Sequence, residues 1–322
     1  MGSGYWSTDV YSARASYRAA TGASAFAYND GGATRVHSAL DPKGVALRES
    51  RDSDDHPESL AISVLFDVTG SMGGIPRALQ TKLPELLGLL LRKGYVPDPH
   101  IMFGAIGDAT CDRAPLQIGQ FEADNRMDDD LGRILLEGGG GGQMTESYEL
   151  AMYFMARHTS IDCFEKRGKR GYLFMIGDEL AYSRVKRREV ARVIGDELGE
   201  DIPIAEMVRE LQRMYEVYFI VPKGSYYARS RKLTEFWQGL LGQHVLFLDD
   251  PDAVCETIAL TIGLAEDAID LDEGLADLRA AGSDAGAAVS RALATLDAAR
   301  APVVVAAAPA GLDSAPSTTT RL

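Results

Sequence analysis

Asp67, Thr69 and Ser71 are the residues of this chain best placed to do chemistry together, alternating with Val68 and Gly70 on one short segment. A carboxylate and two hydroxyls supply only hard oxygen donors, which suits Mg2+ or Mn2+ better than zinc, with Ca2+ behind them. Gly70, Gly73 and Gly74 let the backbone turn sharply around such an ion. Each residue also has an ordinary use, since an Asp just after a strand often does no more than cap a turn or a helix.

Other chemistry has little to stand on. Gly138 to Gly142 lacks the Gly-Lys-Ser/Thr ending that lets a glycine loop cradle phosphates, so it reads as a hinge. His37, His56, His100, His158 and His244 are scattered without an HExxH pair, and no Ser or Cys stands at a recognisable spacing from a His base. Asp108 and Asp112, after an apolar run, would either orient water around an ion or form a turn. Trp6, Trp237 and the Tyr226-Tyr227 pair read as packing residues.

The elements that must hold Asp67 are legible from pattern. Leu60 to Phe66 is a nearly uninterrupted apolar run, as in a parallel strand covered on both faces. Further strands are predicted at Ile101 to Ile106, Leu116 to Phe121, Gly171 to Ile176, Val217 to Val221 and Val245 to Leu248. Helices are predicted at Ile75 to Lys93, with a kink or break at Pro84, and at Met127 to Leu136, Thr145 to Arg157, Lys186 to Leu198, Pro203 to Met214, Leu233 to Leu241 and Pro251 to Leu264. This alternation argues for an α/β fold with a doubly wound, Rossmann-like, mostly parallel sheet flanked by helices. In such a sheet ligands bind beyond the carboxyl ends of the strands, where Asp67 stands and where Asp178 follows the Gly171 to Ile176 strand.

Asp67-x-Thr69-x-Ser71 after an apolar strand resembles the first element of the metal-ion-dependent adhesion site (MIDAS) of von Willebrand factor A (VWA) domains, over about Leu60 to Leu264. That family adds a threonine from a second loop and an aspartate from a third. Carried over, the resemblance implies Thr145 in Gln143-Met144-Thr145-Glu146-Ser147, with Ser147 as the alternative, and Asp178 in Gly177-Asp178-Glu179, ahead of Glu179. The chain departs from the family in having an additional residue in the second loop and Ile176-Gly177-Asp178-Glu179 in place of the commoner Thr-Asp-Gly. The expected ligand set is therefore Asp67, Thr69, Ser71, Thr145 and Asp178, with Asp108, Asp112, Ser147 and Glu179 around it. The resemblance implies a VWA-like fold, a bound Mg2+-type ion, and a non-enzymatic adaptor that grips an Asp or Glu of a protein partner, such as a MoxR-type AAA+ ATPase.

Two rival readings keep Asp67. A strand ending in Asp, with a hydroxyl two residues on, also resembles haloacid dehalogenase-like phosphotransferases, although Thr69 stands where those need a second Asp. Alternatively, the ion only stabilises a loop of a structural subunit. Composition narrows the partners: 47 acidic against 33 basic side chains, a net charge of −14, argues against nucleic acid and anionic membranes. Basic residues do cluster at Lys166 to Arg170 and Arg184 to Arg188, where a small anion-binding patch has a place. Cys111, Cys163 and Cys255 form no CxxC pair and no apolar run is long enough to span a bilayer, so the expectation is a cytoplasmic protein. The expected organisation is an N-terminal extension over 1–59 whose charged run Arg48 to Asp55 is an exposed lead-in, an α/β domain over 60–266, a helical extension over 267–300 and a flexible tail over 301–322.

Overall fold

The computed structural model describes residues 4–72, 74–137 and 144–300. The expected glycine hinge at 138–142 and the expected tail at 301–322 lie outside the described residues. The architecture is mixed α/β, a six-stranded, mostly parallel central sheet with helices packed against it, and is compatible with the Rossmann-like class. In chain order the sheet strands are β1 (Ser59–Asp67), β2 (Asp98–Ile106), β3 (Leu116–Ile118), β4 (Gly171–Ile176), β5 (Tyr215–Pro222) and β6 (Val245–Leu248). They lie side by side as β6-β5-β4-β1-β2-β3, and β3 alone runs antiparallel, against β2. All of β1 is buried, as an apolar strand covered on both faces must be.

The main helices are α1 (Thr8–Thr21), α2 (Ile75–Leu87), α3 (Arg126–Arg133), α4 (Tyr148–Arg157), α5 (Arg187–Val193), α6 (Ile204–Leu211), α7 (Arg231–Leu241), α8 (Val254–Ala265), α9 (Leu271–Ala280) and α10 (Gly286–Arg300). From β1 the chain first crosses to β2 on one side, then returns to β4 on the other. Crossovers of one hand running in opposite directions place their helices on opposite faces, α2 packing with α8 and α4 with α6. The order of strands reverses between β1 and β4, so their carboxyl ends splay into a crevice.

Pro84 does not break its helix. A proline here deprives the Gln80 carbonyl of its usual N–H donor, and the Tyr11 hydroxyl of α1 donates to that oxygen at 2.6 Å. The helix widens only beyond Leu87, in a π-helical turn over Gly88–Arg92. Tyr11→Phe leaves a buried carbonyl unmet and should cost about 1–2 kcal/mol in chemical denaturation; an unchanged midpoint would remove Tyr11 from this role.

The charged run before β1 is no simple exposed lead-in. Arg48–Ser50 forms a short parallel strand with Thr159–Ile161. Arg51 then pairs with Asp162 at 2.8 Å and Glu165 at 2.7 Å, and Asp52 with Arg167 at 2.7 Å. These partners lie more than a hundred residues away, beyond the reach of local pattern. Several helices are also shorter than periodicity suggests, α5 ending at Val193 and α4 starting only at Tyr148. A capping box between Asp270 and Glu273 opens α9, and α10 packs on β6. All three cysteines are free thiols, and among the described residues no helix is long and apolar enough to cross a membrane.

Candidate functional site

Asp67 ends β1 with its side chain fully buried. Its Oδ1 accepts the Thr69 backbone N–H at 2.7 Å, closing the turn that leads out of the strand, and the Thr69 side chain also bonds the carboxyl. From α4 the Tyr148 hydroxyl donates to Oδ2 across a long 3.4 Å. Ser71 lies in a 3-10 turn over Gly70–Met72; its side chain is outside the described residues, as is Gly73.

The second loop arrives as a strand rather than a helix. Thr145 and Glu146 pair in parallel with Leu180 and Ala181, directly after the third loop. The half-buried Thr145 and the buried Glu146 are thus locked beside Gly177-Asp178-Glu179. Asp178 is fully buried, and its Oδ2 accepts the Tyr227 N–H at 3.0 Å from the loop beyond β5. The Glu179 carbonyl accepts the Trp237 indole N–H at 2.9 Å, and that ring stacks on Phe219 with centroids 3.7 Å apart. The packing role expected of Trp237 therefore includes holding the third loop.

Gly177 has a steric reason. A β-carbon there would lie far inside van der Waals contact with the Tyr148 hydroxyl oxygen. The same hydroxyl reaches Asp67, so Gly177 and Tyr148 together fix how closely the ends of β1 and β4 approach.

The structure assigns the two hydroxyls of the second loop different neighbours. Ser147 is fully buried, and its Oγ accepts the Ala109 N–H at 2.9 Å, tying α4 to the loop after β2. Thr145 stays in the strand facing the third loop. Asp108 behaves as a turn former: its carboxylate accepts the Thr110 N–H and hydroxyl, each at 2.7 Å, and the Tyr182 hydroxyl at 3.0 Å. Asp112 Oδ2 in turn accepts the Asp108 N–H at 2.7 Å.

The electrostatics are lopsided. Burial pushes the Asp67 carboxyl up to about 8; the Thr69 bonds oppose this only in part, and the charges of Glu179 and Asp178 add to it. Glu146 is raised by burial and then by Asp67 and Glu179; it shares a hydrogen bond with Glu179, itself raised by burial and by Asp178. The charges acting most strongly on these three acids are all negative. Glu146 Oε2 and Glu179 Oε2 are buried with no hydrogen-bond partner. Among the described residues no three His, Cys, Asp or Glu side chains stand together in a way that would hold a metal ion by themselves. Any ion here depends on the hydroxyls of Thr69, Ser71 and Thr145 as well as on carboxylates, a mixed oxygen set that fits a hard divalent cation.

Sequence pattern missed Glu146, Tyr148 and the Tyr227 amide. Tyr148 and Glu146 look like neighbours of a helix start, and only tertiary structure brings the Tyr148 hydroxyl to Asp67 and pairs Glu146 with Ala181. No signal in the sequence points to Tyr227.

No protein-family model and no characterised protein matches the chain. Among solved structures, the pilus adhesin SpaC from Lactobacillus rhamnosus GG, in its open conformation, is similar with a TM-score of 0.45 and 10% identity, over 66% of this chain and 31% of that one. Proximal thread matrix protein 1 from the mussel byssus is similar with a TM-score of 0.41 and 12% identity, over 68% of this chain and 49% of that one. The chain thus spans about a third to a half of the length of these structures.

Proposed function

We propose that this chain is a metal-dependent protein-binding module of the von Willebrand factor A kind, in which a Mg2+-type ion grips an acidic group of a partner. The observation that carries the reading is the approach of three loops, with Asp67, Thr145-Glu146 and Asp178, to the crevice where the strand order reverses. The charges acting most strongly on the buried carboxyls of Asp67, Glu146 and Glu179 are negative. Burying like charges without a counter-charge is costly, and a divalent cation would offset that cost.

Asp67, Thr69, Ser71, Thr145 and Asp178 are the residues that would hold the ion. When bound, it would supply a Lewis-acidic position open to one further anionic oxygen. The chain's own residues do the positioning: Thr69 orients the Asp67 carboxyl, Tyr227 orients Asp178, and the pairing of Thr145-Glu146 with Leu180-Ala181 sets the second loop against the third. An adaptor role, with a MoxR-type AAA+ ATPase as motor, is the partner assignment this reading favours.

Capture of a partner on the immobilised chain should occur in Mg2+ and be lost both in EDTA and with Asp67→Ala. Equal capture in EDTA contradicts the reading, and Asp67-dependent turnover of a phosphate ester would replace it with a phosphotransferase. The two hydroxyls of the second loop separate in the same way. Thr145→Ala should weaken the Mg2+-dependent rise in melting temperature, whereas Ser147→Ala should lower stability by about 1 kcal/mol through its lost bond to Ala109 and keep that rise. The reverse pattern would move the ligand to Ser147.

A further inference from the structure

Two adjoining clefts, of about 360 Å3 and about 340 Å3, run along the outer side of the loop after β2 and share Arg192 as their dividing wall. Arg188 lines the first; Arg35, Lys43 and Arg113 line the second. All five of these cations are exposed. Arg113 is paired with Glu137 at 3.3 Å, and the acids of the clefts are held in place, Glu189 by Lys186 at 3.5 Å and Arg188 at 3.6 Å, Asp112 by the Asp108 N–H and Asp41 by the Lys43 N–H at 2.9 Å. The five cations outnumber the three acids that line the clefts, Glu189, Asp41 and Asp112, a local excess of positive charge on a chain of net charge −14.

The groove is joined to the carboxyl site through one loop. Arg192 donates to the Ala109 carbonyl, and the Ala109 N–H is the group that holds Ser147 of the second loop. We propose that this groove binds an acidic peptide segment of a protein partner, so that the partner presents a run of carboxylates along the groove beside the one gripped at Asp67; this rests on the metal-dependent reading above. The arginines suit carboxylates through paired N–H donors, and the open shape of the clefts suits an extended chain.

The probe is a fluorescein-labelled oligoglutamate peptide, titrated with the full chain by fluorescence anisotropy at low salt, in EDTA and in Mg2+. Binding should persist in EDTA and weaken as salt rises. The double variant Lys43→Glu and Arg188→Glu should raise Kd by about tenfold or more in both buffers, while Asp67→Asn should change only the Mg2+ series. Among the described residues neither replaced side chain is seen donating to the backbone, and far-UV circular dichroism is to match that of the parent chain before the Kd values are compared. An unchanged Kd in the double variant, or no binding in EDTA, overturns the groove and leaves the ion-dependent series to be judged separately. Displacement of the peptide by inorganic phosphate at equal concentration overturns it in favour of a small-anion pocket.

Discussion

In EDTA at pH 8, Asp67→Asn is expected to unfold at a higher temperature than the parent chain and to lose the stabilisation that Mg2+ gives the parent. The Asp67 carboxyl is fully buried and titrates near 8 in the folded chain, against an ordinary value of 3.8. Between those values the folded state holds a proton that the unfolded state has released, so metal-free stability falls as pH rises from about 4 to about 8. The destabilisation is complete above the folded value. At about 1.4 kcal/mol for each pKa unit, the cost near neutral pH is on the order of 4 kcal/mol. Asparagine keeps one oxygen to accept the Thr69 N–H and carries no charge to bury. A metal-free stability that is flat from pH 4 to 8, or an Asn variant weaker than the parent at pH 8, contradicts this account of Asp67.

Gly177→Ala should be the other large effect, lowering stability by about 3 kcal/mol in denaturant unfolding. The added methyl meets the Tyr148 hydroxyl and ring, which are boxed in by Trp237 and Phe219 at centroid distances of 5.3 Å each and have nowhere to retreat. Because Asp178 follows directly, the Mg2+ response should fall with stability. Tyr148→Phe removes the first atom in the way, so the double variant should recover part of the loss. A double variant no better than Gly177→Ala alone would show that backbone conformation, rather than Tyr148, sets the requirement for glycine.

The sheet was readable in advance because its strands are short apolar runs ending in turn residues, and the Asp67-Thr69-Ser71 loop because its donors sit within a few residues of one another. The second loop was harder. Thr145 to Arg157 runs without Gly or Pro into a helix, yet pairing with Leu180-Ala181 draws Thr145 and Glu146 into a strand, a tertiary choice that local propensity does not encode. The ion-pair network of Arg51 and Asp52 was hidden in the same way, since a run of charges looks solvated until its distant partners arrive. Glu146 is the most instructive omission: a lone Glu between two hydroxyl residues looks like surface, and its burial follows from the pairing of its short strand with Leu180-Ala181.

The central claim is that Asp67 and its neighbours hold a divalent ion. Calorimetric titration of MgCl2 into the metal-free chain at pH 8 tests it most directly, with Asp67→Asn as the paired sample. The account predicts one saturable site in the parent and none in the variant; equal Mg2+ affinity in both would contradict it.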